Sequence, residues 1–197
     1  MSRFATIKTL IGNIKTYYYR ESCLCQDACV SYYHHMLSAR MACLHSTFTE
    51  FARDLYMRNN LLQGGYFEML RSGWTRRDHP NLLVLWYEEM KEDQRGCVER
   101  MMAHLGCSLS EAKLSELCEA MTFSNYRKIS SMNQSKGFNF SKSKGEFTRK
   151  GVVGDWVNHF DQELNQCWNG WIKENLNNIG ITDERIIAHF DLNYSMQ

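Results

Sequence analysis

Residues 149–160 read RKGVVGDWVNHF. Two adjacent cations, Arg149 and Lys150, stand directly before Gly151, and Gly154 stands before Asp155 and Trp156. Ahead of them lies a polar stretch, SMNQSKGFNFSKSKGEFT at 131–148, and behind them an amphipathic segment. Arg offers a planar fork of donors suited to a phosphate, and Gly lets a backbone N–H approach an anion closely. The residue types therefore suit an anionic ligand, with the lysine- and serine-rich loop folding over it. A solvated basic loop is the alternative reading. A structureless stretch of that length is usually functional or disordered.

The rest of the chain bounds what such a ligand site sits on. With 197 residues it fits one domain and is long enough to bury a real core. Hydrophobic residues make up 44% and charged residues 23%, which is ordinary globular composition. The net charge of +1, from 23 Lys+Arg against 22 Asp+Glu, lacks the basic excess usual for a nucleic-acid binder. No run of 18 or more apolar residues is present, so no membrane-spanning helix is expected. The N-terminus, MSRFATIKTLIGNIKTYYYR, is basic and lacks the apolar region and cleavage site of a signal peptide. It resembles a mitochondrial presequence only slightly, and a cytoplasmic location is expected. Eight cysteines, at 23, 25, 29, 43, 97, 107, 118 and 167, fall mostly in apolar helical patterns and read as reduced thiols.

The periodicity predicts alternating strands and helices. IKTYYY at 14–19 reads as a short strand. A helical pattern runs from about Asp27 to Leu44 through Cys29, Tyr32, Tyr33, Met36 and Leu37. Thr47 and Glu50 make a capping box for the next helix, which Gly64 and Gly65 should end. Tyr66 to Arg77 is amphipathic, His79-Pro80-Asn81 is a turn, and LLVLWY at 82–87 reads as a buried strand with Tyr87 at its C-terminal end. Helices follow over 94–105, from the capping box SLSE at 108–111 to about Met121, from Ser124, and from about Asp161 to Leu176. The stretch from about Thr182 reads as a tail. The fold class expected is α/β.

Few motifs carry chemistry. There is no Walker loop, no GxGxxG, no GxSxG and no HExxH. Cys23, Cys25, Cys29, His34 and His35 have metal-ligand types, but C-x-C-x3-C is not a finger or ribbon spacing. Structural thiols are the favoured reading, and no metal site is assigned. Tyr87, at a strand end, has the position where ligands bind in open α/β sheets, and the π-face of Phe123 suits an adenine. Either ring is also an ordinary core residue.

RKGVVGDWVNHF resembles the RKGxxGDWKNxF signature of the cytosolic sulfotransferases. Four further segments agree in order and spacing: DACVSYYHH at 27–35, TFTEFARDL at 47–55, GGYFEMLRSGW at 64–74 with LVLWYEEMKED at 83–93, and TFSNYRK at 122–128. The likeness covers about residues 26–178. It implies a partial sulfotransferase-type parallel sheet flanked by helices, with 1–25 a divergent N-terminal segment, 26–181 the partial domain and 182–197 a tail. It also implies transfer of a sulfuryl group from 3′-phosphoadenosine 5′-phosphosulfate to a small-molecule hydroxyl or amine acceptor. By position, Ser31, Arg149 and Gly151 would hold the 3′-phosphate, with Lys150 beside them. Phe123 would face the adenine and Tyr87 would contact the nucleoside. His35 and Met36 would lie near the acceptor pocket.

The chain also departs from the family pattern. The 5′-phosphosulfate loop, written YPKSGTTW or similar, has no counterpart in this sequence, and none of its seven histidines lies in the context of the catalytic base. No catalytic residue is therefore assigned, and no turnover is expected of this chain. Where the family reads RNPKD, this chain reads CLCQD at 23–27, so Cys23 replaces an Arg that binds the 3′-phosphate. Arg20 could take that role only across an insertion of a few residues. The resemblance thus points to a truncated chain with a mismatched start. Met121 replaces the Thr before the family's Ser-Phe pair, and Asp161-Gln162 replaces the Thr-Val of its dimerisation motif. Strands without neighbours would leave unpaired edges, so marginal stability is expected; a sharp cooperative unfolding of a soluble monomer would contradict it. A non-catalytic nucleotide-binding or regulatory fragment is the alternative function.

Overall fold

Two parallel strands, separated in sequence by three helices, form the sheet of the described residues. In this computed structural model those residues are 16–19, 25–38, 47–61, 64–128, 149–182, 184–188 and 190. The polar loop at 131–148, Cys23, Arg20 and the end of the first predicted helix, 39–44, lie outside them. Strand β1 (Thr16–Tyr19) pairs with β2 (Leu82–Leu85), Thr16 opposite Leu82 and Tyr19 opposite Leu85. Parallel strands need a long crossover, supplied here by α1 (Cys25–Ser38), α2 (Phe48–Glu50, continued by a π-helical turn Phe51–Tyr56) and α3 (Tyr66–Trp74). The remainder is helical: α4 (Tyr87–Glu92), α5 (Gln94–Leu105), α6 (Glu111–Ala120), α7 (Phe123–Lys128), a 3-10 turn (Asp155–Asn158), α8 (Gln162–Asn178) and α9 (Glu184–Ala188). This is an α/β arrangement, rich in helix.

The core is aromatic and joins the first and last long helices. Along α8, Leu164, Trp168, Ile172 and Leu176 recur every fourth residue and are all buried. They meet Cys25, Cys29, Tyr32 and Met36 of α1 and Phe51 and Tyr56 after α2 in one cluster. Tyr56 stacks on Trp168 at 5.5 Å, and Phe160 and Trp171 meet the same indole edge-on at 5.0 Å each. Such pairs add about 0.5–1.5 kcal/mol each beyond area burial.

Several boundaries differ from the sequence reading, each for a local reason. The Thr47–Glu50 capping box forms as read, with Glu50 N–H donating to Thr47 Oγ1 at 3.3 Å and Thr47 N–H to Glu50 Oε2 at 2.7 Å. The helix it opens ends before Gly64, because Asn59 already turns left-handed with φ +57°. Gly65 instead caps the N-terminus of α3. The SLSE segment caps through Ser110, not Ser108, since Lys113 N–H donates to Ser110 Oγ at 3.4 Å. Strand β2 stops at Leu85, and only Leu85 of its four residues is buried. Trp86 is the N-cap of α4, where Glu89 accepts its N–H at 3.4 Å, so Tyr87 opens a helix instead of closing a strand. Asp161 caps α8 by accepting Leu164 N–H at 2.7 Å. The stretch from Thr182 includes α9, and Phe190 lies in the core against Phe67. No helix among the described residues is long and apolar enough to cross a membrane.

Candidate anion-binding site

The loop from Arg149 to Asp155 is shaped by its two glycines. Gly151 has φ +65° and Gly154 φ +86°, both in the left-handed region that side chains disfavour. At Gly151 a second constraint acts: a Cβ there would stand 2.3 Å from Cδ2 of Phe123. The Phe123 ring therefore lies directly on the Gly151 backbone. Lys91, one turn along α4 from Tyr87, places Nζ 5.4 Å from the Phe123 centroid and 5.5 Å from that of Tyr87. Tyr87, Phe123, Gly151 and the two cations beside it thus form one neighbourhood, with an aromatic end and a charged end.

Asp155 organises the charged end. Its carboxylate accepts from Arg149 Nη1, from Lys150 Nζ at 2.6 Å and from Asn158 Nδ2 at 3.0 Å, and His159 Nε2 lies 3.5 Å away. Burial alone would raise this carboxyl, but the donors from Lys150, Arg149 and Asn158 outweigh it and hold the group well below the usual carboxylate range. Arg149 and Lys150 keep 28% and 49% of their side chains exposed against 4% for Asp155, so the cations, not the acid, face outward.

A second carboxylate pins this loop to α1. Asp27 accepts Gly154 N–H at 2.5 Å and Trp156 N–H at 2.8 Å, satisfying the start of the 3-10 turn from 127 and 129 residues away. Burial raises the Asp27 carboxyl, and the two backbone donors oppose that rise. Ser31 is exposed and lies one turn after Asp27 on α1. His34, one turn on but for one residue, packs edge-on against His159 at 5.3 Å. Burial, with Arg149 and His159 nearby, pushes His34 down to about 4. The structure thus brings Arg149, Lys150, Gly151, Phe123 and Tyr87 together; Ser31 is exposed on α1, one turn after Asp27. Asp27, Asp155 and Lys91 are the participants that reading by residue type missed. An acid at a helix start looks like an ordinary capping residue, and its distant partner leaves no trace in spacing.

The cysteine–histidine cluster separates. Cys25 accepts from Trp168 Nε1 at 2.9 Å and Cys29 is fully buried, its thiol pushed well up by desolvation. Both are core residues, whereas His34, also on α1, packs against His159 beside the charged loop. Among the described residues no group of three or more His, Cys, Asp or Glu is placed to hold a metal.

Residues 25–180 match the family model described as the sulfotransferase domain. Sulfotransferase 1B1 of Mus musculus is 30% identical over 137 residues, spanning 68% of this chain and 46% of that protein. Luciferin sulfotransferase of Photinus pyralis is 26% identical over 178 residues, spanning 87% of this chain and 47% of its own. Among solved structures, retinol dehydratase in a complex with retinol and PAP matches with a TM-score of 0.74 at 30% identity, over 82% of this chain and 47% of that one. The chain spans about half the length of the curated relatives it matches.

Proposed function

Because the chain belongs to the sulfotransferase family, we propose that Arg149, Lys150, Gly151, Ser31, Phe123 and Tyr87 hold the 3′-phosphoadenosine end of 3′-phosphoadenosine 5′-phosphosulfate, or of its product adenosine 3′,5′-bisphosphate. One observation carries this reading: an aromatic ring packed on the backbone of Gly151, immediately beside two outward-facing cations. A nucleotide has the same two ends, a flat base and a charged phosphate. Arg149 and Lys150 offer donors to the phosphate, Gly151 lets the Phe123 ring close onto the loop beside them, and the rings of Phe123 and Tyr87 suit the base and sugar. Bound in such a site, the phosphosulfate compound supplies a sulfuryl group, whose bond to the phosphate oxygen breaks as a bond to an acceptor oxygen or nitrogen forms.

The acceptor class we propose is a small molecule bearing a hydroxyl or amine, in keeping with relatives named for luciferin and retinol. The cytoplasm is the proposed location. Transfer requires charge stabilisation at the bridging oxygen and a base on the acceptor. His34 is a poor base, since burial holds it down to about 4. Since no segment of the sequence matches the family's phosphosulfate loop or its catalytic base, we propose that the chain by itself binds nucleotide without turnover.

Calorimetric titration with adenosine 3′,5′-bisphosphate tests the reading. Wild-type chain should bind, and Arg149→Ala should weaken binding by about tenfold or more, the effect of losing one charge-assisted contact. A folded wild-type chain that gives no heat of binding overturns the assignment. Sulfuryl transfer to a phenolic acceptor by the purified chain would overturn the expectation of binding alone.

A further inference from the structure

We infer that Asp155 is a positioning residue, which aims the Arg149 and Lys150 side chains at the nucleotide's 3′-phosphate and so sets the preference for 3′-phosphorylated ligands. The inference rests on the functional reading above.

The geometry has three parts. First, both carboxylate oxygens are engaged: Oδ1 by Lys150 Nζ at 2.6 Å and Asn158 Nδ2 at 3.0 Å, and Oδ2 by Arg149 Nη1, with His159 Nε2 at 3.5 Å. Second, the carboxylate is fixed relative to the core. It belongs to the 3-10 turn whose start Asp27 holds through Gly154 and Trp156, and Trp156 is 1% exposed. Third, each cation donates only part of its capacity to Asp155. Arg149 commits Nη1 and Lys150 one proton of three, and both tips remain partly exposed.

These facts decide between two roles for the acid. If an arriving phosphate drew both cations away, Asp155 would be left a buried charge stripped of its counter-ions, which is strongly unfavourable. The cations therefore stay tethered and present their remaining N–H donors outward at a set spacing. Lys150 and Arg149 against Asp155 leave one net positive charge on the trio, so net attraction for anions is modest. Discrimination must then come from where the donors point, which the buried carboxylate controls.

The test compares two probes, adenosine 3′,5′-bisphosphate and adenosine 5′-monophosphate, titrated into the full chain by calorimetry. Wild type should prefer the bisphosphate. Asp155→Asn should lower that preference by about tenfold or more while affinity for the monophosphate stays within about twofold. A merely structural role would weaken both probes alike, and that result, or an unchanged preference, overturns the inference. Should Asp155→Asn fail to fold, Asn158→Ala decides: it removes an exposed donor from the same carboxylate oxygen, and the preference should fall by about two- to fivefold. An unchanged preference in that folded variant overturns the inference and leaves the functional reading standing. No preference in wild type overturns both.

Discussion

At Gly151 two demands fall on one Cα. The backbone is left-handed at φ +65°, and the Phe123 ring occupies the space a side chain would need. Gly151→Ala should therefore cost on the order of 1–3 kcal/mol, measurable as a lower urea midpoint, and should also weaken nucleotide binding by displacing Phe123. Gly154 has the same backbone sign but open space where a side chain would stand, so what favours glycine there is the backbone conformation alone. The importance of Gly151 was legible from its place after two cations. The contact with Phe123 was not, because 28 positions separate them and only the folded chain lays α7 on the loop.

Among the elements, α8 ties the most together. Its four-residue repeat places Trp168 where Tyr56, Phe160, Trp171 and the Cys25 thiol all meet one indole. Trp168→Ala should cost about 3–5 kcal/mol, read by chemical denaturation, through lost burial and the cavity left behind. It should also loosen the loop, since Trp168 supports the α1 turn that carries Asp27. This helix was readable in advance because an amphipathic period of 3.6 is a local signal that its packing only reinforces. The start of α4 was harder. LLVLWY looks like one apolar run, but the acidic residues after it favour a helix N-terminus, and Glu89 takes the Trp86 N–H. That competition moved Tyr87 from a strand end to a helix start, where Lys91 comes to lie over its ring.

For the molecule as a whole, acid is the informative perturbation. Burial pushes both His34 and His35 down to about 4 from an ordinary 6.5. Between those values the unfolded chain binds protons that the folded chain excludes, so stability falls as pH drops from about 6.5 to 4. The loss should be on the order of 1–3 kcal/mol in total, since both rings are only partly buried. Asp27 acts oppositely: its raised carboxyl takes up a proton first in the folded state, offsetting part of the loss at the acid end. Urea midpoints at pH 7 and pH 4.5 check this, and equal midpoints would refute it. The sequence by itself determined the α/β class, the long helices and the residue types of the phosphate-facing loop, because periodicity and glycine placement are local properties of the chain. Only the tertiary structure decided which carboxylates hold that loop. Asp27 reaches Gly154 across 127 positions, and a bond of that span exists only once burial has brought α1 and the 3-10 turn together.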